Sequence, residues 1–244
     1  MKSSFFKKFT NLSLFLILGI FPIKHSYASE LKDIAISRLE TIHSDLRLLH
    51  GKFIYEYPEQ LLTTMYLPSD AKVLELGSNL GNNSCVISTI LQNSENLVTL
   101  ETREEAVKCL TENRDLNGLK FHIEWAALSK VPLIQKGWNT IPSDIVLDGY
   151  FRVSTVTFNE LQEKYNIIFD TLVVDSEGAL YQILIDDPSI LENIKLVIIE
   201  NDFQSSEHCL FVLNLFREYG LELIYNEGPP YYGDNAFNQV WKKP

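Results

Sequence analysis

Beyond residue 70 the chain alternates between short apolar runs and longer stretches with apolar residues every three or four positions. Continuous apolar runs of four to six residues predict strands buried on both faces, and the 3.6-residue period predicts helices packed on them. The pattern predicts strands over Lys72–Leu76, Leu97–Glu101, Phe121–Leu128, Phe169–Val174, Lys195–Glu200, Leu221–Tyr225 and Gln239–Lys242. Helices are expected over Asn82–Gln92, Arg103–Leu116, Ala179–Ile185 and Ser206–Tyr219, with glycine stops at Gly118 and Gly220. Strand and helix in strict turn imply an α/β fold: a seven-stranded, mostly parallel sheet with helices on both faces, its last strand antiparallel.

The alternation fails between Ser129 and Val156, where Pro132, Gly137, Pro142 and Gly149 break up an insertion carrying Trp138, Tyr150, Phe151 and Arg152. A long insertion in a compact α/β domain reads as a lid or substrate-selecting segment. Ahead of the domain (residues 71–244), residues 29–70 read as a helical extension. It comprises an amphipathic helix from Leu31 to Leu49, then a loop and short helix over Phe53–Tyr66 covering the sheet edge.

The first 28 residues have another pattern. Lys2, Lys7 and Lys8 precede the apolar run Leu12–Phe21, and Ser26-Tyr27-Ala28 offers small residues where a signal peptidase cuts. The run is short for a span of roughly 20 residues. A cleaved signal is the first reading, which exports the protein to a periplasm, the exterior or an organelle lumen. An uncleaved membrane anchor is the second. After cleavage no transmembrane segment is expected.

Charge narrows the partners. Removing Met1–Ala28 takes away four lysines and no acid, moving the net charge from −11 to −15. Such a surface repels phosphate backbones, so nucleic acid is not an expected substrate. Cys85, Cys109 and Cys209 fall in separate helices without metal-like spacing and read as packed apolar side chains. His50, His122 and His208 have no partner visible in sequence. The oligomeric state is not encoded in any of these features.

Two constellations carry chemistry. In the first, the strand Val73–Leu76 runs into Gly77-Ser78-Asn79-Leu80-Gly81 and then a helix start, while Glu101 closes the next strand. Gly77 and Gly81 allow positive φ and close backbone approach. Glu101 falls at a strand's carboxyl end, where open α/β sheets bind ligands, and can accept two hydrogen bonds from ribose hydroxyls. The strict dinucleotide pattern G-x-G-x-x-G is absent, since Asn79 stands where its second glycine would be. With Glu75 suited to a cationic amino-acid group, the pattern favours S-adenosyl-L-methionine over NAD.

The second constellation is Asp175-Ser176-Glu177-Gly178-Ala179, at the end of the apolar run Thr171–Val174. Two carboxylates at a strand tip suit a general base or a substrate-orienting pair, and their repulsion raises one pKa. Glu177 has a second reading, as a charge favouring the N-terminus of the next helix.

Glu75 to Gly81, Glu101, Ala126-Ala127, Val153 to Leu161 and Asp175 to Ala179 together resemble the FkbM-type S-adenosylmethionine-dependent methyltransferases. The resemblance spans about half the chain, Lys72 to Phe203. It implies a Rossmann-like class I methyltransferase domain acting on oxygen of a small molecule or glycan. It implies that Glu75, Gly77, Ser78, Asn79 and Gly81 line the methionine and ribose side, Glu101 holds the ribose, and Trp125 and Ala126 lie near the adenine. Asp175 and Glu177 become the catalytic pair. Leu180 and Ser176 depart from the family pattern. Two alternatives stand beside this reading: a metal-dependent O-methyltransferase using Asp175, Asn201 and Asp202, and an exported binding protein that kept the fold without catalysis.

Overall fold

The computed structural model describes residues 20–228 and 230–244, with the backbone alone at 20–29 and 230–232. Seven strands form the main sheet: β1 (Val73–Leu76), β2 (Leu97–Glu101), β3 (His122–Trp125), β4 (Thr171–Val174), β5 (Leu196–Glu200), β6 (Glu222–Tyr225) and β7 (Asn238–Lys242). Their spatial order is β6-β7-β5-β4-β1-β2-β3. All neighbours pair in parallel except β7, which inserts antiparallel between β5 and β6.

Alternation along the strands divides the core into two layers. Leu74, Leu76, Val98, Leu100, Leu172, Val174, Val197 and Ile199 face α5 (Phe158–Tyr165), α6 (Ala179–Asp186) and α7 (Ser206–Glu218). Val73, Leu97, Val173, Leu196 and Ile198 face the opposite layer, built from α1 (Ile20–Asp45), α2 (Tyr57–Tyr66), α3 (Asn82–Ile90) and Leu110 of α4 (Glu104–Leu116). Glu75 alternates onto this second layer and is buried there.

Four sequence expectations change. Strand three ends at Trp125, and Ala127–Leu128 pairs separately with Thr155–Val156. Helix α5, not anticipated, starts on a capping box in which Thr157 and Glu160 bond each other's backbone. The insertion is an antiparallel three-stranded sheet, with Leu133–Lys136 between Asn139–Pro142 and Phe151–Val153. Helix α2 packs across β5 and β7, over the sheet's face and not its edge.

Of the expected leader, residues 1–19 lie outside the described residues, and α1 runs from Ile20 through the expected cleavage site. Among the described residues no helix is long and apolar enough to cross a membrane. Cys85, Cys109 and Cys209 are free, the first and last buried.

Candidate functional site

The direction of winding reverses between β1 and β4, so the loops after these strands open a crevice at the carboxyl edge of the sheet. Gly77 turns there with φ 87°, and its N–H and that of Ser78 donate to the Leu100 carbonyl at 3.1 Å. A Cβ on Gly77 would lie 1.6 Å from the Asp175 carbonyl oxygen. The tips of β1 and β4 therefore touch backbone to backbone, and only glycine fits. Asn79 follows at φ 47°, a left-handed conformation that asparagine tolerates. Gly81 (φ 84°) opens α3, where a Cβ would press to 2.3 Å from Leu110 Cδ1.

Above this crevice lies a cavity of about 290 Å³. Gly77, Asn79, Glu101, Ala126, Asp175 and Glu177 all line it, so six of the ten residues singled out in sequence meet in one place. Glu101 is buried, accepting the N–H of Asn79 at 2.9 Å on one oxygen and the N–H of Arg103 at 2.8 Å on the other.

The other four do not line the cavity. Glu75 lies beneath the glycine loop and accepts the Ser84 hydroxyl at 2.5 Å; burial pushes its carboxyl up to about 7 despite that bond. Ser78 is buried with its hydroxyl on the Leu100 carbonyl, and Gly81 packs on α4. Trp125 lies beside the cavity and not in it. Its indole N–H donates to the Thr102 carbonyl at 3.0 Å, and the ring borders a neighbouring cleft with Phe151 and Arg152. Successive residues at a strand end point to opposite sides, so Ala126 takes the cavity and Trp125 the cleft.

The insertion forms the roof. Leu133, Gln135, Trp138, Thr140 and Pro142 close the cavity from above. The Arg103 guanidinium lies 3.8 Å from the centre of the Trp138 ring and donates to Asn79 Oδ1 at 2.7 Å, which latches the roof to the glycine loop. Gln135 is a residue sequence reasoning missed. It is 4% exposed, lines the cavity, and its Oε1 has no hydrogen-bond partner. A buried amide without a partner is costly and marks a place where a polar ligand group completes the bonding. No signal in the sequence singles it out, because the insertion lacks the alternation that would place it.

Asp175 and Glu177 stand at the tip of β4. Burial, then the nearby carboxylates of Glu200, Asp202 and Glu56, hold the Asp175 carboxyl well above its ordinary range. Glu177 is exposed, with φ 53°, and the Gly178 that caps α6 receives no side-chain bond. Burial raises the Asp202 carboxyl to about 6, and its Oδ2 has no hydrogen-bond partner.

The metal alternative draws on Asp175, Asn201 and Asp202. Asn201 is buried, its side-chain N–H donating to the Ala236 carbonyl at 2.6 Å while its Oδ1 has no hydrogen-bond partner. Among the described residues no three His, Cys, Asp or Glu side chains are placed to hold a metal ion. His50 gains a partner the sequence did not show, Glu112 at 2.5 Å, while His122 and His208 stack on Tyr165 and Tyr181.

No family model matches the chain, and no curated protein matches it. Among solved structures it is similar to the ribosomal protein L11 methylase from Lactobacillus delbrueckii subsp. bulgaricus, with 11% identity, 81% of this chain and 82% of that chain covered, and a TM-score of 0.50. It is also similar to the O-methyltransferase from Bacillus cereus in complex with SAH, at 14% identity over 88% of this chain and 91% of that one, TM-score 0.47. A protein of the NADB-Rossmann superfamily from Streptococcus agalactiae matches at 13% identity over 80% and 70%, TM-score 0.49. At such identities the likeness is one of fold: the chain has a Rossmann-like methyltransferase fold.

Proposed function

We propose that this protein is an S-adenosyl-L-methionine-dependent methyltransferase acting on a hydroxyl of a small molecule or glycan. The observation that carries the reading is the meeting of Gly77, Asn79, Glu101, Ala126, Asp175 and Glu177 around one cavity. When bound, the cofactor supplies an electrophilic methyl group on a sulfonium. Glu101 would accept from the ribose hydroxyls through lone pairs left over from Asn79 and Arg103. The glycine loop lets the backbone approach, and the open amide of Gln135 offers an acceptor to the adenine side.

Methyl transfer asks little of a protein beyond alignment and a place for the proton. Asp175 meets the second need. Burial and neighbouring carboxylates hold its carboxyl well above the ordinary range, so its ionised form is a stronger proton acceptor than that of an exposed aspartate. The acidic surface and the FkbM resemblance support a small acceptor over nucleic acid. Export, read from the first 28 residues, remains part of the proposal. The test is mass spectrometry of candidate acceptors for a gain of one methyl. Asp175→Asn is expected to keep cofactor binding and lose most turnover, about 10²-fold or more; full turnover removes Asp175 from the mechanism.

A further inference from the structure

Trp125 borders a cleft of about 350 Å³ beside the cavity. The cleft lies between the end of β3, the first turn of α4 and the strand Phe151–Val153 of the insertion. Thr102 and Arg103 line both openings, so cleft and cavity share a wall. The volume falls in the range of small-ligand sites, roughly 300–1,000 Å³. Methyl transfer as derived above makes no use of this cleft.

Two aromatic rings stand in it without being packed away: Trp125 is 51% exposed and Phe151 45%. Large apolar side chains left in water within one concave surface mark a binding groove. The Trp125 ring is also held in place. Its indole N–H donates to the Thr102 carbonyl at 3.0 Å, which occupies its one polar group and leaves the ring to a ligand. Arg152, next to Phe151, is fixed in the same way, donating to the carbonyls of Ser143 and Asp144 at 2.8 and 2.7 Å. Side chains ordered in advance lose little freedom when a ligand arrives.

Charge selects the ligand. Arg103 and Arg152 bring two cations to the cleft, and Glu104 and Glu105 bring two carboxylates. Among the described residues Arg152, Glu104 and Glu105 enter no ion pair. A phosphate would meet the guanidinium groups but also both carboxylates, and an ammonium would meet the reverse. A neutral molecule rich in hydroxyls uses every group, because carboxylates accept from O–H and guanidinium N–H groups donate to hydroxyl oxygens. A neutral aromatic would engage the rings alone. A pyranose has both halves of the match: hydroxyls round its edge, and a C–H face whose slight positive charge suits the negative face of an aromatic ring.

We propose that this cleft is a carbohydrate site for a neutral oligosaccharide, with one ring stacked on Trp125 beside Phe151 and hydroxyls bonded to Glu104, Glu105 and Arg152. A sugar chain held there lies against the outer wall of the cavity. The site stands apart from the reacting centre and does not depend on the methyltransferase reading.

The test is saturation-transfer NMR on the full chain at about 150 mM salt. The probes are the neutral cellotetraose, maltotetraose and N-acetylated chitotetraose, the anionic tetragalacturonate, and neutral 4-hydroxybenzyl alcohol. At least one neutral saccharide is expected to bind saturably, and more tightly than tetragalacturonate or the aromatic alcohol. Trp125→Ala should weaken that binding about fivefold or more. Phe151→Ala, at the exposed rim, should weaken it as well, with the fold of each variant checked by circular dichroism. The proposal is overturned if no neutral saccharide binds, if binding survives both substitutions undiminished, or if tetragalacturonate or the alcohol binds more tightly. No cofactor enters the titration, so failure of the chain to bind S-adenosylmethionine would leave this result standing.

Discussion

The peptide N–H of Asn79 and the carboxylate of Glu101 meet at 2.9 Å, joining the loop after β1 to the end of β2. Asn79 reaches this position only because its backbone is left-handed, and Arg103 holds both partners from the other side. The carboxylate thus has two duties, shaping the loop and facing the cavity. Substituting it will affect loop order as well as ligand contacts.

Gly77→Ala tests whether the β1 and β4 tips need their close contact. The added Cβ would lie 1.6 Å from the Asp175 carbonyl oxygen at a φ of 87°, so the strand tips must part. The expected result is destabilisation of about 3 kcal/mol or more, visible as a melting-point drop of roughly 6 °C or more, with cofactor binding lost. Thermal melts with and without S-adenosylhomocysteine measure both.

Trp138→Ala tests the roof latch. Removing the ring under the Arg103 guanidinium loses a contact worth about 0.5–2 kcal/mol. Cofactor affinity should fall roughly 2- to 30-fold while the melting point moves little, because Trp138 is half exposed. An unchanged affinity would mean that the roof plays no part in holding the ligand.

Stability should fall as pH rises. Glu56 and Glu75 are raised by burial from 4.5 to about 7 and Asp202 from 3.8 to about 6, with Glu59, Asp175 and Glu200 also raised. The folded protein therefore binds more protons than the unfolded chain between about pH 4 and 7, so stability declines through that window. Lys and Arg groups do not titrate there and do not offset the trend. Melting of the ligand-free protein should be lower at pH 8 than at pH 5.5, by roughly 5 °C. A melting point that rises over this range contradicts the picture of a protonated acidic cluster.

Much of the fold could be read from the chain because its core strands are short apolar runs and its helices have one apolar face. Leu97–Glu101 falls where the pattern put it, as does the glycine loop before α3. The insertion was opaque. Its strands pair antiparallel at the rim, with exposed Trp138 and Phe151 beside buried Ile134 and Val153, and prolines and glycines hide the alternation. The same holds for the site. Asp175 and Glu101 announce themselves at strand tips, whereas Gln135 reaches it only through tertiary packing of a segment distant in sequence. Trp125 borders the neighbouring cleft and not the cavity that Ala126 lines, because one residue of offset at a strand end reverses the side a ring occupies.

Calorimetric titration of S-adenosyl-L-methionine into the wild-type protein and Glu101→Ala tests the central claim most directly. Losing the ribose-facing carboxylate should cost about 1–3 kcal/mol, a roughly 5- to 150-fold weaker affinity. Saturable binding to the wild type that weakens within that range is the expected result. No binding to the wild type, or equal binding to both proteins, would contradict the assignment of this cavity to the cofactor.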